Sequence, residues 1–167
     1  MFTVRNIYIE KAMNYILRQG NTQFGEGGLG HDVIRTMVKY GAMPEVFYPG
    51  YKQGESFYNH FQMVADLKVH LDSILKSRSK MRGTGNGISE NWMQGYLKII
   101  NENMGVPPAD FVYNNKSYNP LSFAKEVLKF NASDYVNITS FTHQPYYLPY
   151  VLEVPDNFSN GLYYNMP

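Results

Sequence analysis

From Phe57 to Leu75 apolar residues recur at helical spacing, with Phe57, Phe61, Val64, Leu67, Leu71, Ile74 and Leu75 on one stripe and Asp66, Lys68, His70 and Asp72 elsewhere. That period predicts an amphipathic helix over 55–77. A stripe of this length folds only against other apolar faces, and the flanking sequence supplies them. Residues 2–19 carry Ile9, Ala12, Met13 and Ile16 three and four apart, with Arg5, Glu10, Lys11 and Arg18 largely on other faces, and Gly20 closes the run. A shorter helix with Val33 or Ile34, Met37 and Val38 follows a glycine turn and ends at Gly41, a left-handed cap.

Residues 41–54 hold Gly41, Gly50, Gly54, Pro44 and Pro49 and read as a loop with embedded aromatics. Lys76, Arg78, Lys80 and Arg82 run into a Gly-rich turn with no aromatic residue among them, which favours a solvated loop over an anion site. Ser89 is placed to cap a helix carrying Trp92, Met93, Tyr96, Leu97 and Ile100 and ending near Gly105. Another short helix is expected from Pro120 to Phe130. Then the character changes. The stretches Asp134–Thr142 and Tyr146–Val154 are rich in β-branched and aromatic residues and read as strands, the second confined by Pro149 to an edge or bulge. Helices first and strands last indicate an α+β fold, predominantly helical, with segments 1–54, 55–131 and 132–167 and no internal repeat.

Composition narrows the function classes. Fifteen basic against 14 acidic side chains leave a net charge of +1, so neither a nucleic-acid nor an anionic-membrane partner is signalled. No apolar run approaches about 18 residues, and Met1–Asn6 lacks the features of a signal peptide, so the chain reads as soluble, with cytoplasm and periplasm both open. There is no cysteine, hence no disulfide, thiolate metal site or thiol nucleophile within the chain. Fifteen Tyr and 10 Phe, many beyond residue 140, indicate core and strand-face packing or a surface that stacks on carbohydrate or peptide.

Gly25-Glu-Gly27-Gly-Leu-Gly30 fits the G-x-G-x-x-G pattern of dinucleotide turns. That fingerprint needs a strand before its first glycine and an acidic residue about 20 positions on, after a second strand. Here the preceding segment is helical, and the Pro-rich loop around Glu45 and Pro49 lies where the second strand should end. No Lys-Ser or Lys-Thr follows Gly30, so a P-loop is excluded as well, and no cofactor is expected. Glycines without Cβ serve equally to let an extended peptide approach the backbone and pair with it.

Phe24-Gly25-Glu26-Gly27-Gly28, a short helix ending Tyr40-Gly41, then Pro44-Glu45 and Tyr48-Pro49, resembles papain-like cysteine peptidases, which read Gly-Cys-x-Gly-Gly, helix, Tyr-Gly, Glu and Tyr-Pro in this stretch. The helical insertion, Asn119-Pro120-Leu121-Ser122-Phe123, Pro145-Tyr146 and Gly161-Leu162-Tyr163-Tyr164-Asn165 are similar to the bleomycin hydrolase and aminopeptidase C branch. The resemblance implies part of a papain-like fold with a helical insertion, substrate-backbone pairing on Gly27 and Gly28, and a specificity-pocket wall at Leu29 and Gly30. It implies a peptide substrate and, since that branch forms rings, a homo-oligomer. Gly25 departs from the pattern: it stands where papain-type members carry a disulfide cysteine.

The catalytic groups implied by the resemblance, a Cys nucleophile, a His and an Asn, match no position here. The first helix opens without a capping residue and the last residues close nothing, so the expectation is an inactive internal fragment of a peptidase. Such a fragment should expose apolar surface on its first helix and tail and self-associate. The alternative is a non-catalytic module that holds a peptide or a partner subunit. Among the histidines, His31-Asp32 at a helix start reads either as a catalytic pair or, more simply, as Asp32 favouring the helix dipole. His60 and His70, ten apart on one helix, lie roughly 80° off a common face, and His143 sits in an aromatic turn. No metal site is expected.

Overall fold

A computed structural model describes residues 1–51, 54–55, 57–80, 91–152 and 161–167. It is an α+β fold. Among the described residues it has five α-helices and two small sheets. Helix α1 (Phe2–Leu17) lays Tyr8, Ala12, Tyr15 and Ile16 into a core shared with Met63, Leu67 and Leu71 of α3 (Phe61–Lys80) and Tyr96, Ile100 and Met104 of α4 (Trp92–Met104). Leu67, Leu71, Tyr96 and Ile100 have no solvent exposure, and the buried stripe of α3 opens at Met63 and Val64, because Phe61, expected on it, is exposed. The Tyr96 hydroxyl donates to the Tyr8 carbonyl at 2.7 Å, which satisfies the polar end of a buried ring.

The sequence expectation for α3 is corrected at its start. The helix begins at Phe61, so Phe57 lies outside it and is exposed, and His60 precedes the helix. Ser89 and the Gly-rich turn before it lie outside the described residues, and Asn91 occupies the N-cap of α4. On α1 the charged residues do not all face outward. Arg5, Glu10 and Lys11 are buried because each finds a partner far along the chain. Arg5 donates to Asn101 at 2.7 Å, and Glu10 pairs with Arg35 at 2.5 Å and with Lys39 at 2.9 Å.

Those two cations belong to α2 (Gly30–Tyr40), whose inner face is His31, Asp32 and Thr36 while Val33 and Val38 are exposed, the reverse of the expected apolar stripe. Gly41 ends α2 with φ +84° and ψ −157°, a positive-φ cap whose ψ lies outside the left-handed helical well expected. It is required on two counts: the positive φ, and a Cβ there would lie 2.2 Å from the Pro120 carbonyl.

Strands β1 (Phe111–Tyr113) and β2 (Lys116–Tyr118) form an antiparallel hairpin absent from the sequence expectation. Asn114 and Asn115, at φ +48° and +61°, make its turn, the geometry that Asn tolerates best after Gly. The rings of Phe111, Tyr113 and Tyr118 surround Phe123 of α5 at 5.3, 5.3 and 6.0 Å. Helix α5 (Pro120–Glu126) starts where expected, capped by Asn119 accepting from the Ser122 N–H at 2.8 Å, but stops short of Phe130. Lys129 takes φ +51°, and the Leu128 and Phe130 N–H groups turn back onto Phe123 and Ala124.

The second sheet has the order β3-β5-β4, with β3 (Asn137–Thr139) parallel and β4 (Pro149–Leu152) antiparallel to the central β5 (Gly161–Asn165). Pro149 sits on an edge strand, as its missing N–H dictates. The central strand β5 gives the last residues, which the sequence reading left closing nothing, a regular place in the sheet. Its alternation puts Gly161, Tyr163 and Asn165 inside and Leu162 and Tyr164 outside.

Candidate functional site

The link between α1 and α2 is built from a reversal and an anchor. Gly20, at φ +79°, donates its N–H to the Tyr15 carbonyl at 2.9 Å and turns the chain back. Phe24 then drives into the core between the rings of Tyr15 and Tyr96, with centroids 5.8 and 6.5 Å away. Past this plug the chain emerges as Gly25–Gly28, with Glu26, Gly27 and Gly28 exposed. Gly27 has φ +86°, a conformation costly to any residue with a Cβ. The helical segment before Gly25 removes the strand that a dinucleotide fingerprint requires, so that reading is dropped.

Gly27, Gly28, Leu29 and Gly30 line one wall of a cleft of about 460 Å³. Apolar Met1, Val4 and Ile7 line the cleft too, together with Tyr8, Tyr58 and His60. Side-chain space is open at Gly25, Gly27 and Gly30, and a Cβ on Gly28 would meet Asp32 Oδ2 at an ordinary 3.5 Å. No side chain of the glycine pair covers the backbone there. Lys11, buried in the floor, donates through Nζ to the Gly25 carbonyl at 2.9 Å and to the Gly27 carbonyl. Burial lowers its pKa, with the Asp32 carboxylate opposing.

Within this lining the Tyr8 hydroxyl lies 3.4 Å from His60 Nδ1, and His60 Nε2 is buried with no hydrogen-bond partner among the described residues. Burial lowers the His60 pKa against the pull of Glu26, so the ring is neutral at pH 7. Burial and the Glu26 charge raise Tyr8 to about 12, so its hydroxyl stays protonated. Tyr58 and His60 are shared with a neighbouring polar cleft of about 370 Å³ that also holds Glu55, Asp66 and Glu102. Among the described residues no group of His, Asp and Glu is placed to hold a metal ion.

The structure separates the four histidines. His31 is turned away from the cleft, its Nδ1 2.9 Å from the Tyr163 hydroxyl of β5. Asp32 accepts the Leu29 N–H at 3.0 Å, a capping interaction on α2. His70 Nε2 donates to the Trp92 carbonyl at 3.1 Å and ties α3 to α4, and His143 is exposed beside Phe141. Sequence reasoning located the glycines but missed Tyr8, Lys11, Tyr58 and His60. No local pattern marks them, because the fold alone brings them to the turn.

The chain matches no model of a known protein family, and no curated protein is significantly similar to it. No helix among the described residues is long and apolar enough to cross a membrane.

Proposed function

We propose that this chain is the substrate-holding part of a papain-like cysteine peptidase of the aminopeptidase C and bleomycin hydrolase type. An extended peptide lies along Gly27 and Gly28, with a side chain against Leu29, Gly30 and the apolar wall. The observation that carries this reading is the exposed glycine pair on the rim of an apolar cleft, with no described hydrogen bond on the Gly28 N–H or C=O. A peptide backbone satisfies such groups by pairing with them. The resemblance of Phe24–Pro49 to the peptidase sequence pattern supplies the class.

Hydrolysis then requires a thiolate from outside this sequence, since the chain holds none. The test is made on the natural protein purified from its source cells, measuring intact mass and hydrolysis of an aminoacyl fluorogenic substrate before and after thiol alkylation. Alkylation-sensitive hydrolysis by a protein heavier than 19.3 kDa is the expected result. A protein of 19.3 kDa without activity overturns it in favour of a non-catalytic module for peptide or subunit binding. One observation favours that second reading: Ile138, Tyr164, Leu162 and Val151 share the outward face of the second sheet and are exposed.

A further inference from the structure

We propose that Lys11 is the positioning residue of the glycine turn, an internal ammonium that sets the orientation of the rail in a chain with no cysteine to tether it. Its importance for peptide binding rests on the rail reading above, whereas the anchoring itself stands on geometry alone.

Lys11 is 6% exposed, although it carries one of the most strongly hydrated side-chain charges. A buried ammonium is tolerated only where acceptors replace water, and the acceptors here are the carbonyls of Gly25 and Gly27. The Tyr8 ring adds a face to the cation, 5.9 Å from Nζ to its centroid. These two bonds are the only hydrogen bonds that engage residues 25–28 among the described residues. A stretch with three glycines in four positions loses more backbone freedom on ordering than any other composition. A single anchor bridging Gly25 and Gly27 therefore decides which conformations remain.

The anchor also fixes direction. In a planar trans peptide the C=O of one residue and the N–H of the next point to opposite sides. With the Gly25 and Gly27 carbonyls turned onto Lys11, the N–H groups of Glu26 and Gly28 are turned away from it. Gly28 thus presents a donor that cannot rotate inward without breaking a bond to a buried charge. Lys11 acts through the glycines and touches no reacting group.

The test uses NMR on this chain. In the unaltered protein the Lys11 ammonium protons should exchange at least about tenfold more slowly than those of Lys98, which is 77% exposed. Exchange as fast as at Lys98 overturns the proposal and does not depend on any variant folding. In Lys11→Met the amides of Gly25–Gly28 should shift and broaden while α3 and α4 keep their signals. The affinity for the probe peptide Ala-Leu-Ala-Ala-Lys should fall about tenfold. Because the chain has no cysteine, Lys11→Cys alkylated with 2-bromoethylamine while unfolded, then refolded, restores an ammonium at that position alone. Recovery of both signals and affinity is expected. Turn amides unchanged in Lys11→Met, or no recovery in the alkylated and refolded Lys11→Cys variant, contradicts the proposal. If the unaltered protein does not bind the peptide, the rail reading fails while the exchange rates still decide the role of Lys11.

Discussion

The helical body and the three-stranded sheet solve the problem of burial in opposite ways. In the body, apolar side chains from α1, α3 and α4 meet in one continuous core, and Leu67, Leu71, Tyr96 and Ile100 are sealed from solvent. In the sheet the central buried residue is polar. Asn165 of β5 accepts the Phe141 N–H at 2.8 Å and donates to the Phe141, Gln144 and Pro145 carbonyls at 2.9, 2.7 and 3.3 Å. Its apolar residues face outward, and the contact of Tyr163 and Gly161 with His31 joins it to α2. The body is thus held by the hydrophobic effect, whereas the sheet is held by an amide that replaces water for an irregular loop. The site sits where the body meets solvent, on the face of α1 that the glycine turn overlies.

Breaking each half should have different consequences. Leu67→Ala opens a cavity with no exposed side to collapse into, and a loss of about 2–5 kcal/mol in global stability is expected from urea unfolding. Asn165→Leu strands backbone groups of Phe141, Gln144 and Pro145, and about 1–3 kcal/mol is expected. That loss should appear first as faster amide exchange in residues 141–148, with the α3 and α4 amides protected. Simultaneous loss of protection in both regions would show that the sheet and body are one cooperative unit. Ile138→Ser on the outward face should change stability by no more than about 0.5 kcal/mol. It should nevertheless reduce any self-association seen in sedimentation, because it removes apolar area from an exposed apolar face.

The same contrast explains what the sequence made legible. The apolar spacing of Val64, Leu67, Leu71, Ile74 and Leu75 repeats every three or four residues, and the helix that buries it was readable from that alone. Glycine and proline marked the ends at Gly20, Gly41, Gly105 and Pro120. The inward face of α2 differs from the apolar stripe expected because it is polar: His31 and Asp32 are buried by hydrogen bonds, His31 to the remote Tyr163 and Asp32 to the Leu29 N–H, rather than by hydropathy. Strands β1 and β2 are three residues each, too short for a period of two to stand out, though Asn114-Asn115 between aromatic residues was an available turn signal. In β5 the buried alternation is Gly161, Tyr163, Asn165, which carries no apolar signature. For the site, the glycine pattern identified the turn that lines the cleft, but Lys11 and His60 are brought to it by tertiary packing across 14 and more positions.

The most direct measurement is a ¹H–¹⁵N titration of this chain with Ala-Leu-Ala-Ala-Lys, because it asks which of the two regions meets a peptide. Shifts confined to Gly27, Gly28, Leu29 and their neighbours Tyr8 and His60, with the sheet residues unmoved, are the expected result. Shifts at Ile138, Val151, Leu162 and Tyr164 with a silent glycine turn would contradict the account and make the outward sheet face the binding surface.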